Sequence, residues 1–260
     1  MTGGGRTPEG AEPDERKPAG AASPGSPGSP AGLSADRDRA LALTVVSRET
    51  AARLDRFVAL LLAWQQRVNL IAPSTEPQVW TRHVGDSLQL LPLAPRARVW
   101  ADLGSGGGFP GIPIACVLAE IEGAQVHLVE SNRKKAAFLR EAVRATAAPA
   151  TVHAVRIAEF IEYAPPAIEV VTARALAPLP ELLREAYPLL KNGALGLFPK
   201  GQDVATELTE AAKCWNIAMD LAPSRTDSKA RIVVVRGLEP RLVPAGGAHR
   251  AQSRRRRKPQ

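Results

Sequence analysis

The sequence predicts an α/β protein: a doubly wound, Rossmann-like sheet with helices on both faces, a helical cap before it and an unstructured tail at each end. Three observations carry that reading. First, six short β-branched or apolar runs (98–103, 125–130, 151–155, 168–172, 194–198 and 231–236) alternate with helical stretches at 112–121, 132–146, 179–190 and 204–216. That alternation implies parallel pairing between layers of helices. Second, a glycine-rich segment follows the first run and opens a helix, where such sheets bind ligands. Third, 45% of the 260 residues are apolar, enough for a sizeable core. Aromatics are only 4%, so Leu, Val, Ile and Ala must fill it.

Residues 1–41 are rich in Gly, Pro, Ser and Ala and carry the short repeat Ser23-Pro24-Gly25-Ser26-Pro27-Gly28. Such a composition buries too little apolar surface to offset the entropy of ordering, so this head is expected to be disordered. The folded region is expected at 42–240, divided into a helical cap at 42–96 and an α/β core at 97–240. Ser47 suits a helix N-cap. After it Leu54, Phe57, Val58, Leu61, Trp64 and Val68 recur at three- and four-residue steps, one face of a helix. Val79, Trp80, His83, Val84, Ser87 and Leu88 are spaced similarly and predict a second helix over 76–91, ended by Pro92 and Pro95. Both cap helices precede the sheet and are expected to cover one side of it.

The net charge of +8 is unevenly spread. Residues 241–260 hold seven basic and no acidic side chains, five of them in Arg254-Arg255-Arg256-Arg257-Lys258. Residues 1–40 carry −1, which leaves +2 for residues 41–240. The tail is expected to be disordered. It is either a solvated end or an attractor of phosphates that reads no sequence. Several classes fall away. The longest apolar run, 57–64, cannot span a bilayer, and no apolar stretch follows the N-terminal charges as in a secretory leader. Two cysteines, Cys116 and Cys214, make neither a disulfide framework nor a four-ligand zinc site. His127 and His153 lack partner spacing for a metal, so none is assigned. A cytoplasmic monomer with no membrane partner is expected.

The strongest local signal is Asp102-Leu103-Gly104-Ser105-Gly106-Gly107-Gly108-Phe109-Pro110-Gly111. Glycines admit positive φ and close approach of the backbone to a ligand. Glu130, at the end of the second strand, can accept from both hydroxyls of a ribose. Together they point to a nucleoside-type cofactor. Gly106, Gly108 and Gly111 also satisfy G-x-G-x-x-G, so a dinucleotide must be weighed. Against it, Pro110 and Pro113 remove amides a pyrophosphate would use. Asp102 at the start of the loop suits a ligand with an ammonium group. S-adenosylmethionine, with an ammonium, a carboxylate and an adenosine, fits better. No G-x-x-x-x-G-K-[ST] occurs, so a P-loop is ruled out.

The ordered series Asn69-Leu70, Arg82-His83-x-x-Asp86-Ser87, the glycine loop through Ile112-Pro113, Glu130-Ser131-x-x-Lys134-Lys135, Ala173-Arg174-Ala175 and Pro199-Lys200-Gly201-Gln202 resembles the RsmG (GidB) family of bacterial small-subunit ribosomal RNA methyltransferases. The likeness runs from about Leu43 to Gly237. It implies methylation of guanine N7, at position 527 of 16S ribosomal RNA, with S-adenosylmethionine as donor and the small ribosomal subunit as partner. By position it places Gly104 and Phe109 on the cofactor loop, Ile157 and Ala158 against the adenine, and Arg174 at the active site. Ala158 departs from an acidic residue common in the family.

Guanine N7 offers a free lone pair and loses no proton on methylation, so the chemistry should need positioning rather than a base or a nucleophile. Both cysteines are accordingly expected to be buried packing residues. Arg174, at the end of the fourth strand, is the candidate to hold guanine O6 or a phosphate. Lys200, after the fifth strand, is the second catalytic candidate and is expected against RNA backbone. Arg82, His83, Arg133 and Lys134 are candidate RNA contacts, although His83 and Asp86 at i,i+3 suit mere helix stabilisation and the basic run suits a solvated face. Two other readings stay open: a methyltransferase of this fold acting on a small molecule or protein, and a non-catalytic ribosome-assembly factor that binds RNA.

Overall fold

The structure, a computed structural model, describes residues 1–2, 28–163 and 167–241. The expected basic tail beyond Arg241, most of the expected disordered head and the Pro165-Pro166 pair lie outside the described residues. Seven strands among those residues form one sheet: β1 (Val99–Leu103), β2 (Gln125–Val129), β3 (Ala150–His153), β4 (Val170–Thr172), β5 (Leu195–Lys200), β6 (Trp215–Pro223) and β7 (Arg231–Pro240), in the order β3-β2-β1-β4-β5-β7-β6. The first five in that order pair in parallel. β7 runs antiparallel to both β5 and β6, so the sheet is mixed. The order reverses between β1 and β4, which places a crevice over the carboxyl ends of these two strands.

Period-two alternation divides the core. Trp100, Val170, Leu197 and Val234 face one layer, and their neighbours Ala101, Val171, Phe198 and Val235 face the other. The first layer holds α2 (Arg48–Gln65), α4 (Gly111–Leu118) and α5 (Arg133–Thr146); Phe57, Phe138 and Ile114 are fully buried there. The second is built on α7 (Leu179–Lys191), whose Leu182, Leu183 and Ala186 pack onto the sheet, beside α6 (Ile157–Glu162) and α8 (Val204–Ala211).

The structure corrects several expectations. The unstructured head ends earlier than residue 41, because α1 (Pro30–Leu43) is helical. Ser29 caps it by accepting from the Gly32 amide, and Pro30 at the first helical position already has the required φ. What docks α1 is polar: the fully buried Asp36 accepts from the Trp80 and Thr81 amides and from the Thr81 hydroxyl. The expected helix at 76–91 is broken into a 3₁₀ turn (Pro73–Gln78), a π-helical turn (Trp80–Gly85) and one α turn, α3 (Asp86–Leu88). Pro77 has no amide to extend an α-helix through the first of these. The helix expected over 204–216 stops at Ala211, and β6 follows. Its alternating burial is that of an edge strand, with one face on the core and one in water. α6 was not expected.

Asp36→Ala should lower the unfolding free energy by about 2–5 kcal/mol in denaturant titration, since it orphans the buried Trp80 amide and the part-buried Thr81 amide. Asp36→Asn keeps one acceptor and should lose less. A change below about 0.5 kcal/mol in both variants would mean that α1 is not docked through this carboxylate.

Candidate active site

Two cavities open above the carboxyl ends of the parallel strands. One, of about 580 Å³, lies over β1, β2 and β3; the other, of about 480 Å³, lies between β4, β5 and the turn joining β6 to β7. Both are of a size that takes a small ligand or a nucleobase. Arg174, Ala175 and Leu176 line both, so the segment leaving β4 is a shared wall. Ala175 holds φ +52°, a conformation that a non-glycine residue keeps only where its surroundings fix it.

The glycine loop forms one side of the larger cavity. Gly104 and Gly106 take φ +68° and +54°. A Cβ on Gly104 would come within 2.5 Å of Leu176, whereas one on Gly106 would meet nothing nearer than the Gly104 carbonyl at 3.7 Å and would occupy the cavity. Glu130 stands beside the loop. Its Oε2 accepts from the Gly106 amide at 2.9 Å and its Oε1 from the Asn132 amide at 2.7 Å, so one carboxylate spans the loop and the start of α5. Ile157 and Ala158 close the far end, where α6 begins without a side-chain cap.

Asp102 is not in the cavity. It is fully buried beneath the loop, where it accepts from the Gly111 amide at 3.1 Å and the Thr172 hydroxyl at 3.1 Å, tying β1 to the loop's far end and to β4. Burial pushes its pKa up to about 7, against the pull of its hydrogen bonds and of Arg174. Gly108 is also turned away, toward Ile112 and Phe57 in the core. The acid at the loop's start therefore braces the backbone rather than meeting a ligand.

Arg174 anchors the wall. Its Nη2 donates to His83 Nδ1 at 2.7 Å and its Nη1 to the Arg82 carbonyl at 3.2 Å, and the guanidinium lies over the Phe109 ring at 5.3 Å. Asp86 is 3.7 Å away. Burial lowers the pKa of Arg174 and Asp86 opposes that, but an arginine keeps its charge regardless. Because Arg174 can only donate, His83 Nδ1 must be the acceptor, and Nε2–H then donates to the Thr75 hydroxyl at 2.8 Å, which in turn donates a hydrogen bond to the Ala72 carbonyl. Stacked on Phe109 and buried, His83 has its pKa pushed down to about 3, by burial first and then by Arg174 and Arg82. It is thus a neutral support for Arg174 and not an outward-facing RNA contact.

The remaining candidates are divided. Arg82 lines the smaller cavity and pairs with Asp227 at 3.0 Å. Lys200 lines it too, tied to Glu207 at 2.8 Å and to the Ala177 carbonyl at 2.7 Å, so it fixes the wall's exit as well as facing the cavity. Arg133 is exposed at the start of α5, and Lys134 lines a separate groove against Trp64. Their neighbour Lys135, the last and least exposed member of the basic run, is the one that reaches the larger cavity. Cys116 is buried and its thiol is pushed up to about 12 by burial, whereas Cys214 is exposed, contrary to expectation. His127 and His153 contact each other at 3.0 Å. Among the described residues no group of three possible metal ligands converges, and no helix is long and apolar enough to cross a membrane.

A ligand cavity at the switch point of a doubly wound sheet, with a glycine loop after β1 and an acid after β2, defines a methyltransferase of the Rossmann-like class. The O-methyltransferase of Bacillus cereus, solved in complex with SAH, shares the fold at a TM-score of 0.52 and 11% identity, over 78% of this chain and 97% of that one. The family model described as rRNA small subunit methyltransferase G (GidB) matches residues 50–230, and the chain belongs to that family. Ribosomal RNA small subunit methyltransferase G of Bradyrhizobium sp. strain BTAi1 is 58% identical over 80% of this chain and 93% of its own length. The protein of that name from Nitrobacter hamburgensis is 58% identical over 81% of each chain. The larger cavity fits S-adenosylmethionine: a loop that an added Cβ would fill, a carboxylate beside it, and the uncapped turn at Ile157 and Ala158.

Two of the shifted groups, His83 and Asp102, make opposite demands on stability. His83 is neutral in the native state but has an ordinary pKa of 6.5 when unfolded, so stability is lost as pH falls from about 6.5 toward 3. Asp102 is raised from 3.8 to about 7, so its contribution is present below 3.8 and is lost as pH rises toward 7. The slopes oppose each other. In His83→Asn only the second remains, and stability measured by denaturant titration should fall with pH between about 4 and 7 more steeply than in the unaltered protein. An identical slope in the two proteins would mean that His83 is not held neutral.

Proposed function

We propose that this protein methylates N7 of a guanine in 16S ribosomal RNA, at position 527, acting in the cytoplasm on the small ribosomal subunit or its RNA. The observation that carries the reading is the shared wall. A cofactor in the larger cavity and a base in the smaller one would meet at Arg174–Ala175–Leu176, with Arg174 available to both. S-adenosylmethionine, when bound, supplies an electrophilic methyl group on a sulfonium. The protein's own part is to place and desolvate the acceptor.

Guanine N7 needs no base to expose its lone pair, and the residues at the wall suit that demand. Arg174 is a permanent donor fixed by His83, Phe109 and Asp86. Donated to guanine O6, its remaining N–H groups orient the base while N7 stays free. The thiol of Cys116, buried and hard to ionise, is unsuited to attack on a ring. Arg82 and Lys200 offer contacts on the RNA side of the smaller cavity.

Mass-spectrometric mapping of 16S RNA from cells with and without the gene tests the assignment. Loss of a 7-methylguanine confined to one position supports it, and an unchanged modification map refutes it. In methyl transfer to small-subunit RNA or particles at saturation, Arg174→Ala should lower turnover at least a hundredfold. Arg174→Lys should not restore it, because an ammonium lacks the planar two-pronged geometry. Near-normal turnover in either variant would remove Arg174 from the active site.

A further inference from the structure

One wall residue of the larger cavity belongs to none of the motifs described above. Glu185 stands in the second turn of α7, which packs against α6. It lines the larger cavity in company with Val155, Ile157 and Ala158. Its Oε2 is buried, yet it has no hydrogen-bond partner among the described residues. Buried carboxyl oxygens are rarely left so, and an orphan facing a cavity marks a place where a ligand's donor belongs. Burial and the like charge of Glu181 raise its pKa, partly opposed by Arg184.

The donors available on the cofactor narrow the choice. The glycine loop and Glu130 lie at the other side of the cavity, suited to the amino-acid and ribose parts. The end near α6 is left for the base. Ala158 offers no polar side chain there, neither do Val155 and Ile157, and Arg156, which also lines that end, can only donate. A carboxyl oxygen from the neighbouring helix is the acceptor that those residues lack. We propose that Glu185 is a specificity residue of the cofactor cavity, accepting a hydrogen bond from the exocyclic amine of adenine. The proposal rests on the reading of that cavity as the S-adenosylmethionine site. It assigns recognition of the base to α7, across the same cavity from the glycine loop.

The test is calorimetric and needs no turnover. The full chain is titrated with S-adenosylhomocysteine and with its analogue in which hydrogen replaces the exocyclic amine. The unaltered protein should prefer S-adenosylhomocysteine about tenfold, the scale of one buried hydrogen bond to a charged or polarised group. Glu185→Ala should lose about tenfold for S-adenosylhomocysteine, stay within about twofold for the analogue, and so lose the preference. Glu185→Gln keeps an acceptor and should keep most of it. Glu130→Ala should weaken both ligands alike, because its site does not touch the base. Equal loss for both ligands in Glu185→Ala, or no loss for either, would overturn the proposal. So would equal affinity of the unaltered protein for the two ligands, a result that stands even if a variant fails to fold. Binding of neither ligand by the unaltered protein would instead bring down the cofactor reading, and this assignment with it.

Discussion

A guanidinium drawn in between two cavities must have its donors satisfied and its charge answered, and much of the local structure serves that need. Arg174 leaves β4 at the switch point of the sheet, where both cavities meet. One prong reaches the His83 ring, the other the Arg82 carbonyl, both on the π-helical turn. A π turn displaces the backbone relative to a regular α-helix, and such turns recur at functional sites. Phe109 of the glycine loop supplies a ring face to the charge and a stacking surface to its hydrogen-bonded neighbour His83. The loop, the cap and the fourth strand are thereby joined through one side chain. Replacing Arg174 would release its contacts on both the loop and the cap.

The strand and helix alternation was legible because it is written in the period of the apolar residues. β1, β2, β4 and β5 fell within a few residues of expectation, and so did α2, α4, α5 and α7. Where the reading failed, tertiary interactions had overridden composition. The stretch that became α1 is polar and follows a Gly/Pro/Ser repeat, and it is held by Asp36 bonding to amides about 44 residues away. No window of sequence contains that partner. The local signal for its start, Ser29-Pro30, was nevertheless present as an N-cap followed by a first-turn proline. β6 was hidden for a different reason. An edge strand half in water has only a faint alternating pattern, and it follows a helix closely enough to be read as its continuation.

The site was legible as a set of residues and less so as a set of roles. Gly104, Gly106, Phe109, Glu130, Ile157, Ala158 and Arg174 all line the larger cavity. Asp102 and His83 belong to the same constellation but lie behind it, bracing the loop and the arginine. Motif spacing shows that a polar residue is fixed in place. It does not show whether the side chain faces a ligand or another residue. Lys135 and Lys134 make the point on one helix turn: neighbours in sequence, they point to different cavities. Glu185 carried no motif signal, because its place in the cavity depends on how α7 lies against α6.

The acids around the smaller cavity bear on how a basic surface can be selective. Arg82 pairs with Asp227, Lys200 with Glu207 and Arg174 approaches Asp86, so each of these cations already has a carboxylate within 4 Å. Such pairs cancel at long range, in keeping with the small net charge of residues 41–240. What remains is short-range and directional: donors held at fixed positions by their acidic partners. An RNA phosphate gains little from a neutralised pair unless it meets the donor's free hydrogens in the right geometry, so non-specific attraction is suppressed while shape-matched contact is kept. Most of the uncompensated charge of the chain lies in residues 241–260, where long-range attraction and local fit are separated along the sequence. On the reading proposed above, the folded cavity can select by fit without a strong long-range field of its own.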